Sequence, residues 1–341
     1  EKLIYLLQRL LHKTWVRCAL FSLAALVAVT LAKLLGPLIP EDIAFKLGSV
    51  LIFICMAALI KATAAHVPPG QAVFFRSFFA IPVIVMWLAW RRELGTGLKT
   101  RNPMGHLWRG LMGTVSMGLG FAGLGYLPLP EVTAIGYAAP LLTVIFAAMF
   151  LGEEVRLFRI SCVALGLAGV LIVLLPRLSL GPESASVAEA FGATLVLGSA
   201  VFAALAQVFA RKLVMTEGTA AIVFYFSLTA TTLSLVTLPF GWVWPTPFEA
   251  ALLVLAGLMG GVGQIFLTTA YREADASLVA PFDYASMLFA LAIGYFVFAE
   301  VPTWAMIGGA TLVVIAGILI IWRESRLGLE RARQRKTTPP N

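Results

Sequence analysis

The sequence is poor in charge and in cysteine, and both shortages exclude classes of protein. Only 12% of its 341 residues are charged and 60% are hydrophobic, whereas soluble globular domains carry about 25% charged residues. The mean hydropathy is +0.94. Cys18, Cys55 and Cys162 all lie within apolar runs and show no paired spacing, so we expect small core hydrophobes rather than a disulfide or a metal site. The composition predicts a membrane protein.

Motifs for nucleotide binding and for hydrolysis are also missing. No stretch matches GxxxxGK[ST] or GxSxG, so we expect neither direct ATP coupling nor an enzyme, and no cofactor. The histidines have no spacing typical of a metal site. The net charge of +8 does not indicate nucleic-acid binding, because the basic residues concentrate in short connections and at the C-terminus.

Ten apolar segments of membrane-spanning length follow one another from residue 47 onward. Turn signals such as Val67-Pro68-Pro69-Gly70 and Pro245-Thr246-Pro247 separate them. The predicted spans, numbered one to ten below, are 47–65, 72–90, 107–125, 130–150, 158–176, 191–211, 220–240, 249–269, 278–299 and 303–322.

The basic residues between the spans predict the orientation of the chain. Sixteen lysines and arginines, Arg109 among them, fall on the side of the even-to-odd connections and the C-terminal tail, against Arg177 alone on the other side. Because cytoplasmic loops are enriched in Lys and Arg, the C-terminus is expected in the cytoplasm.

The chain also repeats itself at an offset of about 150 residues. Lys61 matches Arg211, and the segment 74–77 (FFRS) matches 224–227 (FYFS). At an offset of 147, the matched pairs are Gly110-Leu111-Met112-Gly113 with Gly257-Leu258-Met259-Gly260, Tyr137 with Tyr284, and Glu153 with Glu300. Five spans per repeat place the halves in opposite orientations, so the sequence predicts an all-α membrane bundle of two inverted five-helix repeats.

These repeats set the predicted domain boundaries, 43–190 and 191–324. Residues 1–42 fit neither repeat and are interpreted as an appended or fused segment, with an amphipathic part and one hydrophobic helix. Residues 325–341 form a basic tail that we expect to be cytoplasmic.

Polar side chains inside the spans are the candidate substrate-binding residues, because each is costly in a membrane unless it is paired or faces a cavity. Asp283 follows Pro281, which is expected to interrupt the ninth span, and interrupted helices carry transporter sites. Lys61 and Arg76 could instead extend to the outer interface. Glu300 is interpreted as a solvated helix-end charge. The full candidate set is Lys61, Arg76, Tyr137, Gln207, Gln264, Asp283 and Tyr284.

Several of these stretches resemble the drug/metabolite transporter superfamily, in its ten-helix form with two EamA-like repeats. The resemblance covers about residues 43–324 and rests on segments 58–61 (ALIK), 74–80 (FFRSFFA), 137–141 (YAAPL), 151–154 (LGEE), 298–300 (FAE), 308–310 (GGA) and 315–317 (IAG). It implies a central cavity, alternating access and small organic substrates such as amino acids, other metabolites or vitamins.

We therefore expect a secondary transporter of the bacterial inner membrane that moves a small organic solute. Its expected partners are that solute, the lipid bilayer and a coupling proton or cation, and homodimerisation stays open. The alternative is a lipid flippase or membrane-embedded enzyme acting on an amphipathic substrate. A channel would need a continuous polar stripe along one helix, and no span has one.

Overall fold

The computed structural model describes residues 41–151, 157–178, 184–214, 216–273 and 280–337, and every regular element within them is helical. The first half contains α1 (Glu41–Thr63), α2 (Pro69–Phe78), α3 (Ala80–Trp90), α4 (Leu94–Gly97), α5 (Pro103–Leu124), α6 (Leu129–Gly136), α7 (Ala138–Leu151) and α8 (Leu157–Leu178). The second contains α9 (Ser184–Val214), α10 (Thr219–Leu235), a 3-10 turn (Leu238–Phe240), α11 (Pro247–Glu273), a 3-10 helix (Ala280–Tyr284), α12 (Ala285–Phe298) and α13 (Trp304–Thr337).

These helices confirm the ten predicted spans. In chain order the spans are α1, α2 with α3, α5, α6 with α7, α8, α9, α10, α11, the second 3-10 helix with α12, and α13. Within the described residues, five are long and apolar enough to cross a membrane, and four others are shorter apolar helices. The predicted appended segment lies outside the described residues except for its last two positions, and Glu153 lies outside them as well.

Two spans of the first half are interrupted three residues before a proline. Span two breaks at Phe79, ahead of Pro82, and span four breaks at Tyr137, ahead of Pro140. Proline lacks the N–H that would bond to the carbonyl four residues earlier, and its ring crowds that carbonyl. The sequence thus places each break at a defined position.

The main pairings of the spans are preserved when the two halves are exchanged. The most extensive contacts join α5 to α9 and α1 to α11, which are spans three with six and one with eight. Spans five and ten, two and seven, and four and nine also pair with their own counterparts. At the α5–α9 crossing, the hydroxyls of Ser116 and Ser199 each donate to the other residue's carbonyl, at 2.9 and 2.7 Å. This pairing is what two equivalent halves require.

The glycine clusters of spans three and eight allow these close approaches. A methyl group on Gly110 would lie 2.6 Å from Cγ2 of Thr229, and one on the equivalent Gly257 would lie 2.5 Å from Cβ of Phe79. Thr229 and Phe79 are themselves equivalent at the repeat offset of 150. Small residues at such crossings are the usual means of tight packing between membrane helices.

A buried carboxylate joins two connections at the end of the bundle that we expect in the cytoplasm. Glu217 accepts hydrogen bonds from the backbone N–H groups of Arg101 (2.7 Å) and Asn102 (2.9 Å) and from the hydroxyl of Thr100 (3.1 Å). Burial alone would raise the pKa of Glu217, but these donors outweigh it and bring the pKa below its ordinary value. The ionised carboxylate therefore ties spans six and seven to the start of span three.

Candidate functional site

Two interrupted spans, one from each half, meet at a pair of tyrosines. The rings of Tyr137 and Tyr284 lie edge to face, with centroids 5.2 Å apart. Ser286 donates to the carbonyl of Asp283 (2.6 Å), so the Tyr137 hydroxyl, 2.6 Å from Oγ of Ser286, is the donor in that second hydrogen bond. Three of the predicted site residues, Tyr137, Asp283 and Tyr284, are thereby brought together.

An ion pair that the sequence analysis missed joins this cluster to span one. Nζ of Lys46 lies 2.7 Å from Oδ1 of Asp283; the lysine side chain is fully buried and that of Asp283 is 46% exposed. Lys46 falls one residue before the predicted start of span one, where a charged residue is ordinarily a solvated helix end. Its position as the sixth residue of α1, with apolar residues following, was the available signal.

A second ion pair joins the same two spans at their other end. Nζ of Lys61 lies 2.9 Å from Oε1 of Glu300 and donates to the carbonyls of Leu124 (3.2 Å) and Leu127 (2.6 Å). These three acceptors use the three N–H donors of the ammonium. Oε2 of Glu300 accepts from the N–H of Leu129 at the start of α6 (2.9 Å). Glu300 is therefore not the solvated helix-end charge that we expected, since only 14% of its side chain is exposed.

Arg76 lies in the interior of the bundle beside Arg109, a residue that we had assigned to a cytoplasmic connection. Arg76 is 3% exposed, and the buried Nε and Nη1 atoms of both arginines have no hydrogen bond. Their guanidinium carbons lie 5.5 and 4.2 Å from the centroid of the Phe226 ring. The assignment of Arg109 was wrong because α5 begins at Pro103, which carries position 109 more than a turn into the helix.

Unsatisfied polar atoms occur on three helices, among them the two that carry these arginines. Among the described residues, every buried side-chain nitrogen or oxygen without a hydrogen bond lies on α2, α5 or α10, in Arg76, Ser77, His106, Arg109 or Ser227. A cation–π contact contributes about 0.5–2 kcal/mol, whereas each buried donor without an acceptor costs about 1–3 kcal/mol and more when charged. The ring contacts therefore do not offset the burial of two guanidinium groups.

The two remaining candidates are the glutamines of spans six and eight. Gln207 is exposed on α9, and its Oε1 accepts a long hydrogen bond of 3.5 Å from the hydroxyl of Thr143 on α7. Gln264 lies half-buried on α11. The seven predicted residues thus comprise a tyrosine–aspartate cluster, the lysine of the Lys61–Glu300 ion pair, one arginine of the arginine pair, and Gln207 and Gln264.

Comparison with known proteins agrees with this architecture. The model of the EamA-like transporter family matches residues 42–175 and again residues 190–323. A solved structure that is 22% identical superposes with a TM-score of 0.61, over 82% of this chain and 96% of that chain, and it shows the fold alone.

Named relatives align over most of their length. The chain is 33% identical to the pseudopaline exporter CntI of Pseudomonas aeruginosa, over 79% of this chain and 91% of the relative. It is 29% identical to the S-adenosylmethionine uptake transporter of Rickettsia bellii, over 75% of this chain and 84% of that relative. It is also 29% identical to a riboflavin transporter of Rhizobium johnstonii, over 76% and 83%. The chain therefore belongs to the EamA-like transporter family and is a multi-pass membrane transporter of small metabolites, not an enzyme.

Proposed function

We propose that the protein is a secondary carrier of the bacterial inner membrane, with its C-terminus in the cytoplasm, that moves one small organic solute by alternating access. The observation that most supports this is the contact between Tyr137 and Ser286, where interrupted spans four and nine meet. Interrupted helices from two repeats are where secondary transporters bind their solutes. Aromatic rings and hydroxyls at this junction can stack on a solute and hydrogen-bond to it.

Asp283 is the proposed coupling group, and the coupling ion that fits best is a proton. The ammonium of Lys46 already takes the position, 2.7 Å from the carboxylate, that a metal cation would occupy. Protonation of Asp283 would remove the charge that holds Lys46 and would free span one to move. A carboxylate that is 46% exposed is accessible to protons from an aqueous pathway.

The ion pair of Lys61 with Glu300 is the proposed outer latch. It joins α1 to the end of α12, while the carbonyls bound by Lys61 belong to the end of α5 and the connection that follows it. Opening toward the outside would separate these elements. Lys61 would then act on transport by holding a conformation, and Gln207 and Gln264 remain candidate contacts for the solute.

A two-stage assay tests this function. Purified protein is first heated in the presence of metabolite mixtures, because a ligand that binds only the folded state raises the melting temperature. A ligand found in this way is then followed in proteoliposomes by counterflow and by uptake driven by a pH gradient. We expect Tyr137→Phe to lower uptake about tenfold, as expected for one lost hydrogen bond of about 1.4 kcal/mol.

Asp283→Asn separates coupling from binding. We expect it to abolish uptake driven by the pH gradient while counterflow persists. Tyr295→Phe is the matched control for Tyr137→Phe, since Tyr295 is 53% exposed on the surface of α12 and its variant should behave as wild type. Equal loss of counterflow and gradient-driven uptake in Asp283→Asn would reject proton coupling. Movement of a fluorescent phospholipid in place of the metabolite would favour a flippase.

A further inference from the structure

The arginine pair in the interior of the bundle has the properties of an anion site. The geometry points to Arg76 and Arg109 as a binding site for a carboxylate group of the transported solute, an inference that rests on the proposed function. Neither guanidinium has a hydrogen bond or an ion pair with any described residue, and four of their nitrogens are buried. Two like charges this close to one ring repel each other, and a bound anion would offset that repulsion.

The pair lies between the two halves, where a carrier must bind its solute. A methyl group on Gly113 of span three would lie 3.2 Å from Nη1 of Arg109. One on the equivalent Gly260 of span eight would lie 3.1 Å from Nε of Arg76 and 3.3 Å from Sδ of Met56 in span one. Span two carries Arg76 and span seven carries the Phe226 ring. Together with spans one, three and eight, they make five spans around the arginines. Because these glycines have no side chain, there is room for the guanidinium groups beside them.

The chemistry of the pair favours a carboxylate. A guanidinium presents parallel N–H donors that match the two oxygens of a carboxylate, whereas a spherical halide uses only part of that fork. Lys61 cannot take this role in the present conformation, because Glu300 and two carbonyls saturate it.

The site is also single, in spite of the internal repeat. The position equivalent to Arg76 in the second half is Phe226, so the halves together supply one arginine and one aromatic ring at this position. One carboxylate would therefore bind per protein, beside the Phe226 ring that both cations contact. The tyrosine cluster of spans four and nine would contact the rest of the solute.

Thermal unfolding of the purified full chain in different sodium salts tests the site without a known substrate. Acetate, succinate, phosphate and chloride are compared at equal ionic strength, for wild type and for Arg76→Gln, Arg109→Gln and Arg76→Lys. We expect acetate and succinate to raise the wild-type Tm by about 3 °C over chloride. This difference should vanish in both Gln variants and shrink in Arg76→Lys. Arg101→Gln, at an exposed arginine, is the matched control and should keep it.

The variants also distinguish a binding role from a structural one. In chloride, removal of an uncompensated buried charge should leave the Tm at or above that of wild type, whereas loss of a structural arginine would lower it by several degrees. A lower Tm of that kind, or equal stabilisation by all four anions, would overturn the carboxylate site. If acetate and succinate do not stabilise the wild type but counterflow of a metabolite is intact, this inference alone is rejected. If they do stabilise it but no metabolite is transported, only the proposed function is rejected.

Discussion

The two halves of the molecule repeat the pairing of their helices but do not repeat their chemistry. Gly110 and Gly257 occupy equivalent crossings. The chain also makes the same turn in both halves: the N–H of Val67 donates to the carbonyl of Thr63 (2.9 Å), and the N–H of Glu217 donates to the carbonyl of Leu213 (2.8 Å). Gly110 and Gly257 are 147 residues apart. Val67 and Glu217, like Thr63 and Leu213, are 150 residues apart. The helix geometry is thus set by the repeat, while binding depends on positions at which the halves differ.

The clearest difference is Arg76 in the first half and Phe226 in the second. The arginine lies against the ring of its own equivalent, so the pseudo-twofold relation brings a cation and an aromatic ring together. Two arginines here would repel each other and would leave Arg109 without the Phe226 ring, and two phenylalanines would remove the charge of Arg76. The asymmetric pair is the arrangement that retains a charge and still packs.

Making the halves alike in charge should have the largest effect. Phe226→Arg adds a third guanidinium beside Arg76 and Arg109, and an uncompensated buried charge costs several kcal/mol. We expect little folded protein after size-exclusion chromatography. Phe226→Leu is the control, because it removes only the ring contacts and should lower stability by about 1–2 kcal/mol. Normal yield and Tm for Phe226→Arg would mean that the arginines already have counter-charges.

Next in size is the loss of the ion pair between Lys61 and Glu300. Glu300→Gln leaves Lys61 without its carboxylate, and breaking a buried pair typically costs about 3–5 kcal/mol. We expect a lower Tm and an increase in accessibility of the outer end to a membrane-impermeant thiol reagent, measured at a cysteine introduced at Thr133. The exchanged pair Lys61→Glu with Glu300→Lys should recover part of the Tm. No recovery would indicate that the carbonyls, and not Glu300, hold Lys61.

A smaller contrast separates two equivalent glycines. A methyl at Gly257 meets the carbonyl oxygen of Phe75 at 2.7 Å as well as Phe79, whereas the three atoms nearest a methyl at Gly110 all belong to the side chain of Thr229. Backbone cannot move aside as a side chain can, so Gly257→Ala should lose about 2–3 kcal/mol and Gly110→Ala about 1 kcal/mol. Thermal unfolding of both variants measures the difference, and Gly308→Ala, which meets no neighbour, is the control. Equal losses would show that both crossings adjust alike.

The sequence predicted the repeats, the ten spans and the interruption of span nine at Pro281, because these follow from hydropathy and backbone chemistry. It also predicted Tyr137 and Tyr284 as a related pair. It failed at Lys46, Arg109 and Glu300, all near predicted span ends. A window of apolar residues cannot tell whether a charge near its edge turns toward water or toward an ionic partner from another span, since that depends on tertiary packing.

The smallest predicted effect concerns Glu217, whose equivalent in the first half is the buried, apolar Val67. Because bound N–H groups hold the pKa of Glu217 below its ordinary value of 4.5, the folded state binds fewer protons than the unfolded state as the pH falls below 4.5. The stabilisation is therefore complete above 4.5 and is lost as the pH falls through the folded-state pKa. We expect Glu217→Gln to lower the Tm by about 3 °C at pH 7 and the difference from wild type to narrow below pH 4.5. Glu93→Gln, in an exposed ion pair with Arg91, should show neither effect. A Tm difference independent of pH would mean that the shape of Glu217, and not its charge, holds the two connections together.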